Sequence, residues 1–302
     1  MSRVELPPAL VEGVRGLEPD GGPSGADWVD ALPALLTAVL EDWGLVPDGP
    51  ARHGRTALVV PVAGADLPRG GAALKLVWPH AEAATEHLAL RRWDGDGAVG
   101  LLRADPSRGA LLLERLRDED LTQMWDEQAC EVVAELYGRL HVAPYPQAPR
   151  LSTWLAHQSE ALAASGDVLP RRLVARARSL MTQIAQDPAC DATLVHTDLH
   201  FENVLSDGTD WVAIDPKPMA GHPAFEIAPM LGNRTDEMGT GSSLRYLVRR
   251  RAEVLCERSG IAWEQARDHT VVRECVTAMW ATQAGDRDRV SLAMSLVKAL
   301  ED

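Results

Sequence analysis

Residues 193–215 read TLVHTDLHFENVLSDGTDWVAID, and the organisation of the chain is decided there. Apolar runs at Thr193–Val195 and Val204–Leu205 enclose a polar loop that carries His196, Asp198, His200 and Asn203. A further run, Trp211–Ile214, ends at Asp215, twelve residues after Asn203. These runs are strand-like, and an Asp just past a strand end projects from a sheet edge, where ligands are commonly met. A hairpin of such short strands would bring Asp198, Asn203 and Asp215 to one end. Phosphoryl transfer asks for a set of this kind. One carboxylate must orient an attacking hydroxyl and accept its proton, and two oxygen ligands must hold magnesium against phosphates. Asp198 suits the first role, and Asn203 with Asp215 suits the second. His196 reads as a residue that orients the loop by hydrogen bonding rather than as a base.

Upstream of this loop the chain begins with a Gly- and Pro-rich stretch at 16–25, read as a loop. Asp27 is expected to cap a helix with Trp28, Leu32, Leu36 and Val39 at helical spacing, Pro33 near its start and Gly44 at its end. Ala57–Val62 and Ala72–Trp78, joined by the turn GADLPRGG, form a hairpin pattern. A helix over about Glu82–Trp93 follows, then strand-like Val99–Leu102 and Ala110–Glu114. After Arg117 helical periodicity dominates at 125–142, 151–164, 171–186 and 243–300. The basic run Arg245–Arg251 reads as a solvated helix face. The reading is α+β: a small antiparallel β lobe with one main helix, residues 1–115, and a mostly α-helical lobe, residues 116–302.

The segment LVHTDLHFENVL at 194–205 resembles the catalytic loop of the aminoglycoside phosphotransferases, a branch of the protein-kinase-like fold. The likeness is to the streptomycin 6-phosphotransferase and hydroxyurea phosphotransferase group. It runs from Asp27 to about Trp280 through LVVPV at 58–62, AALKL at 72–76, WDGDGAVGLL at 93–102, GALLLERL at 109–116 and WVAIDPKP at 211–218. It implies a bilobal fold using ATP and Mg2+. Lys75 would meet the α- and β-phosphates, with Glu86 or Glu82 on the following helix as its partner, Glu86 being favoured. Glu114–Leu116 would be the hinge whose backbone binds adenine, and the loop 51–56 with Gly54 would cover the phosphates. His200 would stand toward the transferred phosphate, as a support to Asp198. Two positions depart from the family tendency. Gly221–His222–Pro223 stands for a commoner Gly-Asp-Pro, and Glu226 for an Asp that braces the loop from below. Near Trp280, Ala281, Thr282 and Gln283 stand where streptomycin kinases carry acidic residues.

Composition sets the class. With 46% hydrophobic and 25% charged residues, the 302-residue chain is ordinary for a globular protein and long enough for two lobes around one cleft. No apolar run is long enough to span a bilayer and no secretory signal is evident, so no membrane partner and a cytoplasmic location are expected. The four cysteines are scattered and read as buried apolar residues. A net charge of −14 argues against nucleic acid and could draw a cationic ligand. The expected acceptor is a cationic hydroxylated small molecule, streptomycin first. Asp236, Glu237, Glu274, Asp286 and Asp288 are candidates to line its site. A cyclic-peptide antibiotic, hydroxyurea or a hydroxylated metabolite are alternative acceptors, and a silent binding protein on the same scaffold is the alternative of another class. A monomer or weak dimer is expected.

Overall fold

A computed structural model describes residues 4–18, 22–68, 70–166 and 169–301. Residues 19–21 of the loop expected at 16–25, and Arg69 of the turn GADLPRGG, lie outside the described residues. The chain divides into two compact units, 1–117 with the hairpin tip 207–210, and 118–206 with 211–302. The first is mainly antiparallel sheet and the second mainly helix, an α+β fold.

The first unit opens with α1 (Pro8–Arg15) and α2 (Gly25–Trp43). The cap of α2 is Ser24, whose Oγ accepts from the Asp27 N–H, so the expected cap at Asp27 moves three residues upstream. Pro33 consequently lies well inside the helix rather than near its start. The helix persists because Trp28, Val29, Leu32, Leu36, Val39 and Leu40 are buried along one stripe, a gain that outweighs the backbone bond a proline forfeits. Gly44 ends it at φ 64°, in the left-handed conformation glycine tolerates.

The strands follow as β1 (Val46–Pro47), β2 (Arg52–His53), β3 (Ala57–Ala63), β4 (Ala72–Val77), β5 (Leu101–Asp105) and β6 (Ala110–Glu114), with α3 (Glu86–Trp93) between β4 and β5. Among the described residues they form one sheet in the order β1-β3-β4-β6-β5, with β2 on β3. The β5 strand starts at Leu101, two residues later than Val99, and Ala98 and Val99 are buried ahead of it. The two-residue period of β4 governs the rest. Ala72, Leu74 and Leu76 point into the core that packs on α1 and α2. Lys75 therefore points to the other face, paired across the ladder with Val59 and Leu111.

The second unit begins with α4 (Asp126–Leu140), α5 (Leu151–Ala164) and α6 (Arg171–Gln186). Then come β7 (Thr193–Val195), β8 (Val204–Ser206), β9 (Trp211–Ala213) and β10 (Met219–Gly221). Four helices complete it: α7 (Ile227–Gly232), α8 (Ser242–Ser259), α9 (Trp263–Ala284) and α10 (Arg287–Leu300). The hairpin is β8 with β9, while β7 pairs with the later β10. Leu155, Met181, Val272, Cys275, Met279 and Val297 belong to a core shared by α5, α6, α9 and α10.

The basic run on α8 is not one solvated face. Arg245 is exposed, but Arg251 is only 2% exposed. Its Nε donates to Asp126 Oδ2 at 2.7 Å, and its Nη1 donates to the carbonyls of Met230 and Asn233 at 2.9 and 2.6 Å. Removing it would leave a carboxylate and two carbonyls without their donor. Arg251→Met is expected to destabilise by about 3 kcal/mol, as loss of one partner of a buried ion pair does. Arg245→Ala should stay within about 0.5 kcal/mol of the parent. Urea denaturation of both variants checks the contrast.

Candidate active site

The polar loop between β7 and β8 is held by partners from other segments that bond to the groups of Thr197. Thr197 has φ 64°, a conformation rare for a β-branched residue. Each of its polar groups is engaged: the N–H donates to Glu226 Oε1 at 2.8 Å, the hydroxyl to the Lys217 carbonyl at 2.7 Å, and the carbonyl accepts from Arg273 Nη1 at 2.8 Å. His196 is fully buried, and burial pushes its pKa down to about 4. Its neutral ring donates from Nε2 to the Ile214 carbonyl at 2.9 Å and accepts at Nδ1 from the Asp198 N–H at 3.3 Å. One imidazole thus ties the residue before Asp215 to the residue that carries the candidate base, as a positioning group and not a proton carrier.

Asp198 is partly exposed, and its Oδ2 accepts from Lys217 Nζ at 2.7 Å. Asn203 closes the 3-10 turn Phe201–Asn203. Its Nδ2 donates to the Asp198 carbonyl at 2.8 Å and lies 3.1 Å from His200 Nε2. With the amide nitrogen engaged in the loop, Oδ1 is the oxygen donor that this side chain retains. His200 caps the same turn, its Nδ1 accepting from the Glu202 N–H at 3.3 Å. The structure places the His200 ring beside the Asn203 side chain. The Ile214 N–H donates to the Asn203 carbonyl at 2.9 Å, which brings Asp215 beside the end of the turn. Asp215 itself has φ 55°. Two non-glycine residues of left-handed conformation in one small region are the strain that functional loops store.

In the first unit, Lys75 Nζ donates to Glu86 Oε1 at 2.6 Å, and both side chains are more than nine-tenths buried. Glu86 is the first residue of α3, while Glu82 sits exposed on a preceding 3-10 turn. The pair forms with Glu86, the favoured partner, at the start of α3. Glu114 ends β6 with its backbone N–H donated to the Gly100 carbonyl at 2.9 Å and its carboxylate folded onto the Gly100 N–H at 3.3 Å. A Cβ at Gly100 would lie 2.5 Å from that carboxylate, so the close approach needs glycine. Leu116 is half-buried, and Gly54 is exposed with its N–H on the Ala57 carbonyl.

The five candidate acceptor carboxylates differ in what already engages them. Glu237 pairs with Arg234 at 2.6 Å, and Asp286 caps α10 through the Arg289 N–H. Glu274 is buried 3.4 Å from Arg289, and burial raises its pKa. Asp236 and Asp288 are exposed, on the turn Thr235–Met238 and in the first turn of α10.

The aminoglycoside/hydroxyurea antibiotic resistance kinase family matches residues 42–285. This chain belongs to that family. It is 39% identical over 295 residues to a hydroxyurea phosphotransferase of Kitasatospora aureofaciens, covering 94% of this chain and 82% of the relative. It is 35% identical over 287 residues to a streptomycin 6-kinase of Streptomyces glaucescens, covering 92% of each. Among solved structures it shares its fold with choline kinase LicA from Streptococcus pneumoniae, at a TM-score of 0.56 and 13% identity over 88% of this chain and 99% of that one. A thermostable aminoglycoside phosphotransferase mutant solved with ADP and hygromycin B gives 0.57 and 15%, over 87% and 96%. The chain is a small-molecule phosphotransferase.

Four side chains around the loop of this kinase hold it in ways that the sequence alone does not assign. Arg273, on α9, holds the Thr197 and Phe225 carbonyls at 2.8 and 3.1 Å and lies over the Phe225 ring. A charged pair, Arg273–Glu274, set among the buried Val271, Val272, Cys275 and Val276 was its signal. Arg234 and Arg251 lie over the Phe201 ring, at 4.9 and 4.8 Å from its centroid. Lys217 carried no signal beyond its place two residues after Asp215. His222 caps the turn Pro223–Glu226 from its Nδ1, accepting the Ala224 N–H at 3.1 Å, the work an Asp would do there.

Glu226 is the titrating element of this scaffold. It is 1% exposed, and burial pushes its pKa up to about 7 against the hydrogen bond from Thr197 and the charge of Arg273. A raised carboxyl contributes stability that is complete below its ordinary value near 4.5 and is lost as pH rises through about 7. The buried histidines His141, His196 and His269, each lowered to about 4, act oppositely, losing stability as pH falls below 6.5. The parent's melting curve mixes the two effects, whereas its difference from Glu226→Gln isolates the first. The Tm of Glu226→Gln minus that of the parent should rise from pH 5 to pH 8, reaching at most the equivalent of about 3 kcal/mol. A difference constant across that range would mean that Glu226 keeps the same protonation state throughout.

Proposed function

We propose that this kinase transfers the γ-phosphoryl group of ATP to a hydroxyl of an antibiotic, with Asp198 as the group that orients the hydroxyl and accepts its proton. The observation that carries this is the loop itself: Asp198 follows Thr197, whose left-handed backbone is hydrogen-bonded at every polar group, with Asn203 and Asp215 tied to it through His196 and Ile214. The hydroxyl oxygen would attack the γ-phosphorus as the bond to the leaving ADP oxygen breaks, and the hydroxyl proton would pass to Asp198. Lys75, oriented by Glu86, would hold the α- and β-phosphates. The Glu114 N–H is already committed to Gly100, so adenine contacts in the expected hinge would fall to groups further along, such as those of Leu116.

Asn203 and Asp215 fit magnesium. An amide oxygen and a carboxylate are hard oxygen donors, and such an ion takes one or two protein ligands and completes its shell with phosphate oxygens and water. When bound, it would neutralise charge on the phosphates. Streptomycin is the first acceptor to test, supported by the 35% identity to a streptomycin 6-kinase and by the net charge of −14. A second reading, a small neutral acceptor such as hydroxyurea, is favoured by the engagement of Glu237, Glu274 and Asp286 within the protein and by the 39% identity to a hydroxyurea phosphotransferase.

Three outcomes test this. Asp198→Ala should lose about 10²–10⁴-fold in kcat while ATP affinity stays near the parent's, because the residue acts on the acceptor; near-normal turnover would remove it from the chemistry. Asp215→Ala should lose magnesium-dependent ATP binding in titrations with and without the ion, and an unchanged magnesium effect would move the metal site elsewhere. In coupled assays with streptomycin and hydroxyurea across a potassium chloride series, a cationic acceptor's KM should rise with salt more steeply than that of ATP, since exposed charges are screened over about 8–10 Å. Turnover of hydroxyurea alone, indifferent to salt, would select the neutral acceptor.

A further inference from the structure

Among the described residues, Lys217 is a cation that a hydrogen bond places on the candidate base. Its Nζ donates to Asp198 Oδ2 at 2.7 Å, and the two side chains are 36% and 25% exposed. Ion pairs of that exposure contribute little to stability, about 0–1 kcal/mol. Holding a lysine side chain in one geometry costs about as much in rotamer entropy. Stability therefore gives no reason for the pair.

The backbone nevertheless fixes Lys217 closely. Pro216 and Pro218 flank it, restricting φ on either side and removing two N–H groups that would otherwise seek partners. Its own N–H donates to the His196 carbonyl at 3.0 Å, and its carbonyl accepts from the Thr197 hydroxyl at 2.7 Å. Lys217 is thus clamped to the two residues that precede Asp198, so its stem starts from a set point beside that carboxylate. The segment after Asp215 and the segment before Asp198 are locked in register, and the lysine closes the ring.

An aspartate carboxylate turns easily about its last torsion, which is broad and two-fold. Bonding one oxygen removes that freedom and leaves the other to receive a hydroxyl proton. The ammonium also offsets the repulsion between Asp198 and incoming phosphates, at a distance where charges in a partly desolvated site interact strongly.

We infer that Lys217 is a positioning residue for phosphoryl transfer, holding Asp198 Oδ2 so that Oδ1 meets the acceptor hydroxyl. It rests on the reading of Asp198 as the group that handles that hydroxyl. No proton passes through Lys217 in this role.

The experiment is steady-state kinetics with ATP and whichever of streptomycin and hydroxyurea is turned over. The variants are Lys217→Met, Lys217→Arg, Asp198→Asn and the double variant Lys217→Met/Asp198→Asn. Lys217→Met should lower kcat about 10–100-fold with the KM for ATP within about 3-fold, and Lys217→Arg should recover a large part of the loss. In the Asp198→Asn background, Lys217→Met should cost less than about 3-fold more, because the carboxylate it positions is gone. A merely structural lysine would give additive losses, a lowered Tm and weaker ATP binding together, and that pattern overturns the inference. If Lys217→Met does not fold, Lys217→Gln, which keeps a hydrogen-bond donor without the charge, takes its place in the same cycle. Asp198→Asn inactive with Lys217→Met within 2-fold of the parent would sink the role of Lys217 alone. Near-normal turnover of Asp198→Asn would sink the reading of Asp198 and this inference with it.

Discussion

The left-handed backbone of Thr197 is the constraint on which the site depends. A β-branched residue at φ 64° is held against a cost of about 1–3 kcal/mol, and it persists only where its surroundings over-determine it. Here three side-chain or backbone partners, from Glu226, Lys217 and Arg273, take all its polar groups. The turn this creates aims the next residue, Asp198, away from the strand that precedes it. The partners come from segments far apart in sequence, so the direction of Asp198 is decided by the packing of α9 and of the turn before α7. An isolated loop peptide of this sequence would have no reason to adopt it.

Charge within the protein is used to hold backbone as much as to meet ligands. Arg251 and Arg273 both end on main-chain carbonyls, and Phe201, two residues before Asn203, has a guanidinium over it from each of Arg234 and Arg251. Arginine suits this work because its planar fork satisfies several acceptors and stacks on an aromatic face without losing much freedom per bond. Lysine is placed differently. Lys75 reaches Glu86 across the face of the sheet opposite the α2 core, and Lys217 reaches Asp198. Each brings a compact ammonium to a carboxylate oxygen, at 2.6 Å and 2.7 Å.

The elements with strong periodicity were legible before any coordinates: α5 and α6 run over 151–164 and 171–186 as read, and β6 over 110–114. Legibility failed where a decision depended on tertiary partners. Ser24 and Asp27 are both good caps, and only the crossing of α1 and α2, where a Cβ on Gly25 would meet the Val14 carbonyl at 1.8 Å, decides where α2 begins. The partner of β7 is β10, which a local hairpin argument cannot find because the nearer strand β8 also offers an edge. The basic run on α8 looked uniform because charge alone does not say which turn faces Asp126. Asp198, Asn203 and Asp215 stood out as residue types at a spacing, yet the groups that hold them, Arg273 and Lys217, come from an apolar helix and a proline-flanked lysine that local pattern does not mark.

The acceptor question turns on which carboxylates are available to a cation. Glu237 is in a 2.6 Å pair, Asp286 supplies the first turn of α10 with its cap, and Glu274 is buried beside Arg289. Recruiting Asp286 would surrender a helix cap worth about 1 kcal/mol. Recruiting Glu274 would require a buried carboxyl whose pKa is already raised to remain ionised without Arg289. Neither loss is repaid by an exposed contact to an ammonium or guanidinium group, which contributes about as little as any surface ion pair. The net charge of −14 would then act at long range, raising the encounter rate of any cation without choosing among them. Asp236 and Asp288 are exposed and would be open to a cation, and further discrimination would come from contacts beside Asp198, through shape and the placement of one hydroxyl. A site built that way accepts a small neutral hydroxyl compound as readily as a large cationic one, provided that its reactive oxygen reaches the carboxylate.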